Sequence, residues 1–243
     1  MPKPTKDERR ARRKQGRKLH NGWRIEGMYP SERPVGGGIV SATPDEVIAA
    51  LEGVPADLPW PAMAPRLLPL FERVRPYPPG MPERAQAILP PGVSVSFGID
   101  VGPGFIAITP EIIEGWSLTL GDVAAQAMAN LHSRAAEVKP ADVISGPLAD
   151  LEARWLQTNR SIGSVLVLAP SELARIFGAA PQYFIAPMRD LLVGFPPNVD
   201  PELAAWLYGE IASEDPNCLV PRGFAFDGRN VTVERLLSPA AVA

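Results

Sequence analysis

The stretch VSVSFGIDVGPGFIAITPEIIEGWSLTLGDVAAQAMANLHSRAAEV, residues 93–138, contains both kinds of regular pattern on which the fold class depends. Apolar and polar residues alternate over Val93–Phe97, and the apolar run Phe105–Ile108 follows a Gly102-Pro103-Gly104 turn, which predicts an antiparallel hairpin. From Thr119 to Val138 the apolar residues recur at helical spacing, which predicts a long amphipathic helix. A hairpin followed by such a helix is typical of an α+β domain.

Downstream of this stretch, predicted strands and helices continue to mix without a regular strand–helix–strand alternation. The pattern predicts, in chain order, a strand over 162–168, a helix over 171–177, strands over 183–186 and 191–195, a helix over 200–212, and a closing hairpin of 224–226 with 230–234. The irregular order favours a mixed or mainly antiparallel sheet packed against helices over a doubly wound parallel sheet. The predicted fold class is therefore α+β.

Two apolar segments of the chain resemble each other at an offset of 79 residues. Phe105-Ile106-Ala107 matches Phe184-Ile185-Ala186, and at the same offset Glu111-Ile112-Ile113 aligns with Asp190-Leu191-Leu192. Two related half-domains would produce such a similarity, and so would chance agreement between two hydrophobic segments. Both interpretations stay open at this point.

The region before Val93 is rich in proline and predicts little regular structure. Thr43 as an N-cap, followed by Pro44, predicts a short helix to Leu51, and Leu67–Phe71 predicts another helix within an otherwise irregular wrap. Proline-rich stretches also serve as ligands of aromatic grooves, which is the alternative interpretation. The predicted organisation is a basic flexible arm over 1–24, a linker and proline-rich irregular segment over 25–92, and an α+β globular domain over 93–243.

Charge is divided unevenly along the chain. Residues 1–24 contain ten of the 24 basic residues and two of the 27 acidic ones, so this segment carries +8 and the remainder −11. A single cysteine, Cys218, excludes an internal disulfide, and no apolar run follows the basic residues as a signal peptide requires. The apolar runs are too short to cross a bilayer. We therefore expect a cytoplasmic protein.

Few residues suit metal or nucleophilic chemistry. The chain has two histidines, His20 and His132, and one cysteine, so the usual zinc and iron ligand sets cannot form. There is no G-x-S-x-G nucleophile elbow, Gly36-Gly37-Gly38 is not followed by the lysine of a phosphate-binding loop, and Gly102-x-Gly104 lacks the third glycine of a dinucleotide fingerprint. A magnesium site built from carboxylates alone is the open alternative, although no dense Asp/Glu motif supports it. We expect no metal and no cofactor, and the composition favours a non-enzymatic protein.

Arg189-Asp190 is the strongest candidate among the polar pairs for a functional site, because it interrupts an otherwise apolar stretch. Charges in such surroundings are paired, solvated at an edge or part of a site. A structural ion pair or turn is one interpretation, and an arginine that anchors an anionic ligand is the other. In the second interpretation His132 or Asp190 would act as acid or base. A position on the helix surface is the structural alternative for His132.

The basic arm predicts electrostatic attachment to a polyanion such as RNA, DNA or anionic lipid. No aromatic residue precedes Trp23, so stacking on bases is not indicated. A role in solubility, or docking on the acidic remainder of the chain, is the alternative. The predicted polyanion-binding residues are Arg9, Arg10, Arg12, Arg13, Lys14, Arg17 and Lys18.

Several short motifs from Thr109 onward occur together in one protein family. They are Pro110-Glu111 with Trp116, Ala127-x-x-Asn130-Leu131, Ser164-Val165-Leu166-Val167, Ala186-Pro187-x-Arg189-Asp190-Leu191 and a closing pair of strands. In these motifs the chain resembles the YtpQ-like (DUF1444) family of uncharacterised bacterial proteins, while the basic arm and the proline-rich segment depart from it. The resemblance implies a cytosolic α+β fold and no particular activity. It adds Asn130 to Arg189 and Asp190 as a candidate ligand-binding position.

These observations lead to three functional hypotheses. The leading one is a non-enzymatic binding or adaptor protein, whose body recognises a protein partner and whose arm adds electrostatic attachment. The first alternative is a small-molecule enzyme or ligand-binding domain that uses Arg189 with His132 or Asp190, which requires these groups in one pocket. The second is an RNA- or DNA-associated protein that acts through residues 1–24, for which the acidic body is unfavourable.

Overall fold

Helices and antiparallel sheets combine in the computed structural model of this chain, which describes residues 44–72, 82–102, 104–158, 160–214 and 218–235. The predicted α+β class is confirmed, since the paired strands are antiparallel and pack with helices. The predicted basic arm over 1–24 and the linker as far as residue 43 lie outside the described residues. Within the described ranges, no helix combines the length and the apolar character needed to span a membrane.

The regular elements have the following bounds. The α-helices are α1 Pro44–Glu52, α2 Trp60–Met63, α3 Pro110–Gly115, α4 Leu120–Ala136, α5 Pro170–Phe177 and α6 Pro201–Glu214. The strands are β1 Leu67–Phe71, β2 Gln86–Leu89, β3 Val93–Asp100, β4 Phe105–Ala107, β5 Arg154–Gln157, β6 Gln182–Met188, β7 Leu191–Phe195, β8 Arg222–Phe226 and β9 Val231–Arg235. Short 3-10 helices cover Ala64–Arg66, Pro140–Asp142, Gly146–Leu151 and Ser164–Leu168.

The first sheet is built around β3, which pairs with β1 on one side and with β2 and β4 on the other. Leu67 stands opposite Ile99 in the β1–β3 ladder, and Asp100 stands opposite Phe105 in the β3–β4 ladder. The predicted hairpin of β3 and β4 is therefore confirmed. β3 is buried along most of its length, so its period-two pattern supplies apolar residues to the core.

Helix α4 buries one face in the core beside this sheet. Its buried residues Val123, Ala127, Leu131 and Ala135 recur every four positions, as an amphipathic helix requires. The helix begins with a capping box between Thr119 and Asp122, in which each side chain accepts a hydrogen bond from the other residue's amide. Such a cap stabilises a helix by about 1 kcal/mol. The helix predicted over 119–138 is confirmed.

The second sheet has the strand order β5-β7-β6-β8-β9, and each neighbouring pair is antiparallel. Two tight turns join its hairpins, one at Arg189-Asp190 between β6 and β7 and one over 227–230 between β8 and β9. α6 packs against β6 and buries Ala204, Leu207 and Ile211. The strands predicted over 183–186 and 191–195, the helices over 171–177 and 200–212, and the closing hairpin are confirmed.

Two of the predicted elements are wrong in type. Leu67–Phe71 forms strand β1 instead of a helix, because it pairs with β3 and all five of its residues are buried. The segment predicted as a strand over 162–168 contains a 3-10 helix at Ser164–Leu168, again with every residue buried. A short apolar run that is buried all round has no period that would separate a strand from a helix. In both cases tertiary packing determined whether the run forms a strand or a helix.

The similarity at an offset of 79 residues is only partly matched in structure. Phe105–Ala107 and Phe184–Ala186 both lie in strands, but Glu111–Ile113 is helical in α3, whereas Asp190–Leu192 belongs to a turn and to β7. The proposed equivalence therefore fails at its second segment. The region predicted to be an irregular wrap contains β1, and the Trp60 ring lies 5.0 Å from that of Trp116. Regular structure therefore begins before Val93.

Candidate functional site

Asp190 is a buried acidic residue in the tight turn between β6 and β7. Its side chain is 8% exposed, although turns normally lie at the surface. The burial arises because Ile162, Gly163 and Ser164, which are themselves buried, pack against this turn. These residues lie between β5, which ends at Gln157, and α5, which begins at Pro170, so the fold brings two distant parts of the chain together at this carboxyl.

The Asp190 carboxyl accepts several hydrogen bonds. The Thr158 hydroxyl donates to Oδ1, and the amide of Gly163 donates to the same oxygen at 3.3 Å. The amide of Ile162 is a further donor to this carboxyl. These donors lie 27 to 32 residues away from Asp190 in the chain. The carboxyl is therefore held by tertiary contacts and not by its own turn.

Main-chain contacts reinforce the same junction. The amide of Thr158 donates to the Asp190 carbonyl at 3.3 Å, and the amide of Ser164 donates to the Arg189 carbonyl at 3.0 Å. Gly163 lies so close that an added Cβ would stand 2.5 Å from the Asp190 carbonyl carbon and 2.6 Å from its oxygen. Only glycine can occupy this position without moving the turn.

Burial raises the pKa of Asp190 to about 7, against an ordinary value of 3.8. The hydrogen bonds from Thr158 and from the amides of Gly163 and Ile162 act in the opposite direction, because they favour the carboxylate. The loss of solvent is the larger effect. The arrangement can therefore hold a proton at a carboxyl near neutral pH.

Arg189, the neighbouring turn residue, places its guanidinium over the Phe105 ring, 4.4 Å from the ring centroid. This is a cation–π contact between the second sheet and strand β4 of the first. Phe105 stands opposite Asp100 in the β3–β4 ladder. The two predicted residues Arg189 and Asp190 therefore have different surroundings, one on an aromatic ring and the other in a polar cradle.

An ionic network lies beside Arg189 at the same end of the first sheet. Arg134 of α4 donates to the Asp100 carboxylate and, at 3.0 Å, to the carbonyl of Arg160. The Arg160 guanidinium in turn pairs with Glu137. Arg134 and Asp100 are mostly buried, while Arg160 and Glu137 are exposed, so the inner pair contributes more than the outer one. The network ties α4 to the 160–164 segment.

Asn130 has structural partners. Its side-chain amide donates to the carbonyl of Ala64 at 2.6 Å and to that of Leu67 at 2.8 Å, and its oxygen accepts from Gln126. The contacts satisfy main-chain carbonyls where the 3-10 helix at Ala64–Arg66 passes into β1. Asn130 therefore anchors β1 to α4, and this set of contacts does not bring it together with Arg189 or Asp190.

His132 is exposed on α4, two residues before Arg134. Residues separated by two positions on an α-helix are about 160° apart around its axis, so His132 points away from the side on which Arg134 meets Asp100. The hypothesis that joins Arg189 to His132 therefore does not fit this placement. The predicted polyanion-binding residues Arg9 to Lys18 lie outside the described residues. In the part of the chain that is described, no group of three or more His, Cys, Asp or Glu side chains could hold a metal ion.

Sequence reasoning missed Thr158, Gly163, Asp100 and Arg134. Gly163 carries a weak signal, as a glycine before an apolar run, but the others are ordinary polar residues whose partners are distant in the chain. Comparisons with known proteins add no further residue: the chain matches no protein-family model, no curated protein and no solved structure.

Proposed function

We propose that this protein is a non-enzymatic binding or adaptor protein of the cytoplasm. Basic residues 1–24 attach to a polyanion, and the acidic remainder of the chain recognises a protein partner. The observation that carries the proposal is the opposite charge of these two parts, +8 against −11. Such a separation steers each part toward partners of opposite charge.

Strand β2 supports a protein partner for the body. Ile88 is 77% exposed, more than any other exposed large apolar side chain of the described residues. β2 is an outer strand of the described sheet, and its sequence QAIL contains no charged residue. Outer strands usually carry charges or proline that prevent pairing with other chains. An uncharged outer strand with an exposed isoleucine suits a partner that adds an extended segment to the sheet.

Fluorescence anisotropy with a labelled single-stranded RNA and with heparin tests the arm. The full chain is compared with a variant in which Arg9, Arg10, Arg12, Arg13, Lys14, Arg17 and Lys18 are glutamine. The full chain should lose about 10³-fold in affinity or more between 50 and 200 mM salt, because counterions are released on binding, and the variant should not bind. Binding by the variant at low salt equal to that of the full chain would contradict the proposal.

A second variant, with residues 1–24 in permuted order, keeps the charge of the arm and serves as the matched control. Retained binding indicates an electrostatic attachment that does not depend on sequence. Loss of binding to RNA but not to heparin would instead favour the RNA-associated alternative, in which the order of residues matters.

Crosslinking followed by mass spectrometry tests the body. Ile88→Lys introduces a charge on the outer strand β2, and Thr232→Lys does the same on β9, the outer strand of the second sheet, where Thr232 is exposed. We expect a discrete protein partner to be lost from Ile88→Lys and retained by Thr232→Lys. Equal loss from both variants, or no partner in the unmodified chain, would remove β2 as the recognition surface.

A specific observation favours a second candidate, a ligand-binding domain or small-molecule enzyme. Asp190 has a pKa of about 7, which suits proton transfer, and Arg189 beside it could hold an anion. Titration of the full chain with inorganic phosphate and with acetate, followed by NMR at the amides of 188–191, tests this candidate. Saturable shifts that disappear in Arg189→Gln would support it.

We also infer descent from the YtpQ-like family on the motifs between Thr109 and Leu191. The inference concerns ancestry and fold, and adds no activity.

A further inference from the structure

Thr158 and residues 160–164 contact the β6–β7 turn through two kinds of hydrogen bond. Two contacts join main chain to main chain, from Thr158 to the Asp190 carbonyl and from Ser164 to the Arg189 carbonyl. The remaining contacts all converge on one titratable group, the Asp190 carboxyl. Its state of ionisation therefore acts on a large share of the bonds that hold the two segments together.

Residues 161–164, which pack against the turn, are buried, and one of them has a strained backbone conformation. Ser161 has φ of 58°, in the left-handed region that non-glycine residues rarely adopt, at a cost of about 1 kcal/mol. The Ser164 hydroxyl is buried and has no hydrogen-bond partner. A strained segment with an unsatisfied polar group is held in place by its surroundings, and opens more easily when one of its contacts weakens.

The charged residues on the elements that pack at this junction have contacts other than the Asp190 carboxyl. They are Arg189 of the same turn, Arg160 of the facing segment, Asp100 of β3, Arg134 of α4 and Glu137, which follows α4. Arg189 lies over Phe105, Arg134 is bound to Asp100, and Arg160 is paired with Glu137. The causes that shift the pKa of Asp190 are burial and hydrogen bonds, and none of these five charges is among them.

We propose that the Asp190 carboxyl is a proton-dependent latch, which holds residues 160–164 against the β6–β7 turn when it is neutral and loosens them when it is ionised. The latch is a property of the folded body and goes beyond the proposed binding function. Its physical basis is the burial of a carboxyl between two chain segments, so that an ionised group gains solvent only when the segments separate.

The direction of the pH dependence follows from linkage. The closed latch has a pKa of about 7, and the open latch exposes Asp190 at its ordinary value of 3.8. The closed state therefore binds the proton more tightly, and its stabilisation is complete below about pH 4. This stabilisation is lost progressively as the pH rises to about 7, and the opening equilibrium is constant above that range.

Amide hydrogen exchange of the full chain, followed by NMR from pH 4.5 to 8.5 and corrected for intrinsic exchange rates, tests the latch. The amides to follow are those of Thr158, Gly163 and Ser164. Their opening equilibrium constant should rise by up to about tenfold per pH unit below pH 7 and level off above it. It should also exceed that of the β6–β8 ladder amides by about tenfold, because the latch opens without unfolding the sheet.

Asp190→Asn keeps an oxygen acceptor and removes the charge, so the pH dependence of these three amides should disappear. Thr158→Val removes a donor that lowers the pKa of Asp190, so the plateau should begin at higher pH, while Thr158→Ser should leave it unchanged. A ¹³C titration of the Asp190 carboxyl gives the same midpoint directly. The Thr158 pair keeps the proposal testable even where Asp190→Asn does not fold.

Three results would each overturn the latch. The first is an opening equilibrium at these amides that does not change with pH. The second is a pH dependence that persists in Asp190→Asn. The third is an opening free energy equal to that of the β6–β8 amides at every pH, which would mean that Asp190 acts through global unfolding only.

Discussion

Asp190 and Asp227 occupy turns of adjacent hairpins in the same sheet, and they behave oppositely. Asp227 is exposed, and its carboxylate accepts from the amides of Arg229 and Asn230 at 2.8 and 2.7 Å, which lowers its pKa. Asp190 also accepts from main-chain amides, yet its pKa is raised to about 7. The donors are of the same kind, so the two pKa values differ because Asp227 is exposed to solvent and Asp190 is not.

Hydrogen bonds do not by themselves decide the ionisation of a turn aspartate. At Asp227 the donors come from the next few residues, and water stabilises the charge as well. At Asp190 the donors come with a segment that excludes water, and the loss of hydration outweighs them. The exposed turn is a local structure, whereas the buried turn depends on the whole domain.

The largest effect should come from Gly163→Ala, which forces a methyl group into the buried turn. Its Cβ would lie 2.5 Å from the Asp190 carbonyl carbon, so the turn must move. We expect a loss of about 3 kcal/mol in the free energy of unfolding, measured by urea denaturation. Gly115→Ala, whose Cβ would meet nothing within 4 Å, is the control and should change little. Equal effects would show that the buried turn is not tightly packed.

Truncation of the two aspartates should give the next largest difference. Asp190→Ala leaves the Thr158 hydroxyl and the amides of Gly163 and Ile162 buried without an acceptor, and should reduce the free energy of unfolding by about 2–3 kcal/mol. Asp227→Ala should cost less, because water replaces the carboxylate at an exposed turn. Urea denaturation at pH 6 measures both. A greater loss at Asp227 would reverse the comparison.

A smaller difference is expected between two threonines. Thr158→Val removes the buried hydroxyl that donates to Asp190, and should cost about 1 kcal/mol. Thr232→Val removes an exposed hydroxyl on β9 and should have almost no effect on stability. In a double-mutant cycle, the effects of Thr158→Val and Asp190→Ala should not add, because each of these variants removes the same contact. Additive effects would separate Thr158 from the buried turn.

The smallest effect should appear at acid pH for the exposed turn. The lowered pKa of Asp227 means that its carboxylate stabilises the fold above the ordinary value of 3.8 and loses this contribution as the pH falls through its folded value. Asp227→Asn in an Asp190→Asn background should therefore flatten the decline of Tm between pH 4.5 and 2.5. A decline that becomes steeper would contradict the sign assigned to Asp227.

Elements with a clear period were predictable from sequence. The α4 helix has apolar residues at helical spacing and a capping box, and the β3–β4 and β8–β9 hairpins have turn residues between strand-like runs. The apolar runs at Leu67–Phe71 and Ser164–Leu168 were assigned the wrong type, because burial on all sides removes the period. Long-range pairing of β1 with β3 then determined the first of them.

Of the candidate site, only the two charged residues that interrupt an apolar stretch were predictable from the sequence. Arg189 and Asp190 attracted attention because charges in an apolar stretch need an explanation, and Asp190 is indeed buried. Asn130 binds main-chain carbonyls next to β1, and His132 is exposed. Neither role was predictable, because the type of a residue does not tell which face of its helix meets a neighbour. Thr158 could not be predicted, because it lies 32 residues from the carboxyl that it contacts.

The sequence by itself determined the α+β class, the periodic elements, the closing hairpin and the separation of basic residues 1–24 from an acidic remainder. These features depend on neighbouring residues or on composition, which the chain carries before it folds. Only the tertiary structure decided that Asp190 is enclosed, that Gly163 admits no side chain, and that Arg189 meets Phe105. Each of these depends on solvent exclusion between segments far apart in the chain, and hydration is lost only when those segments pack.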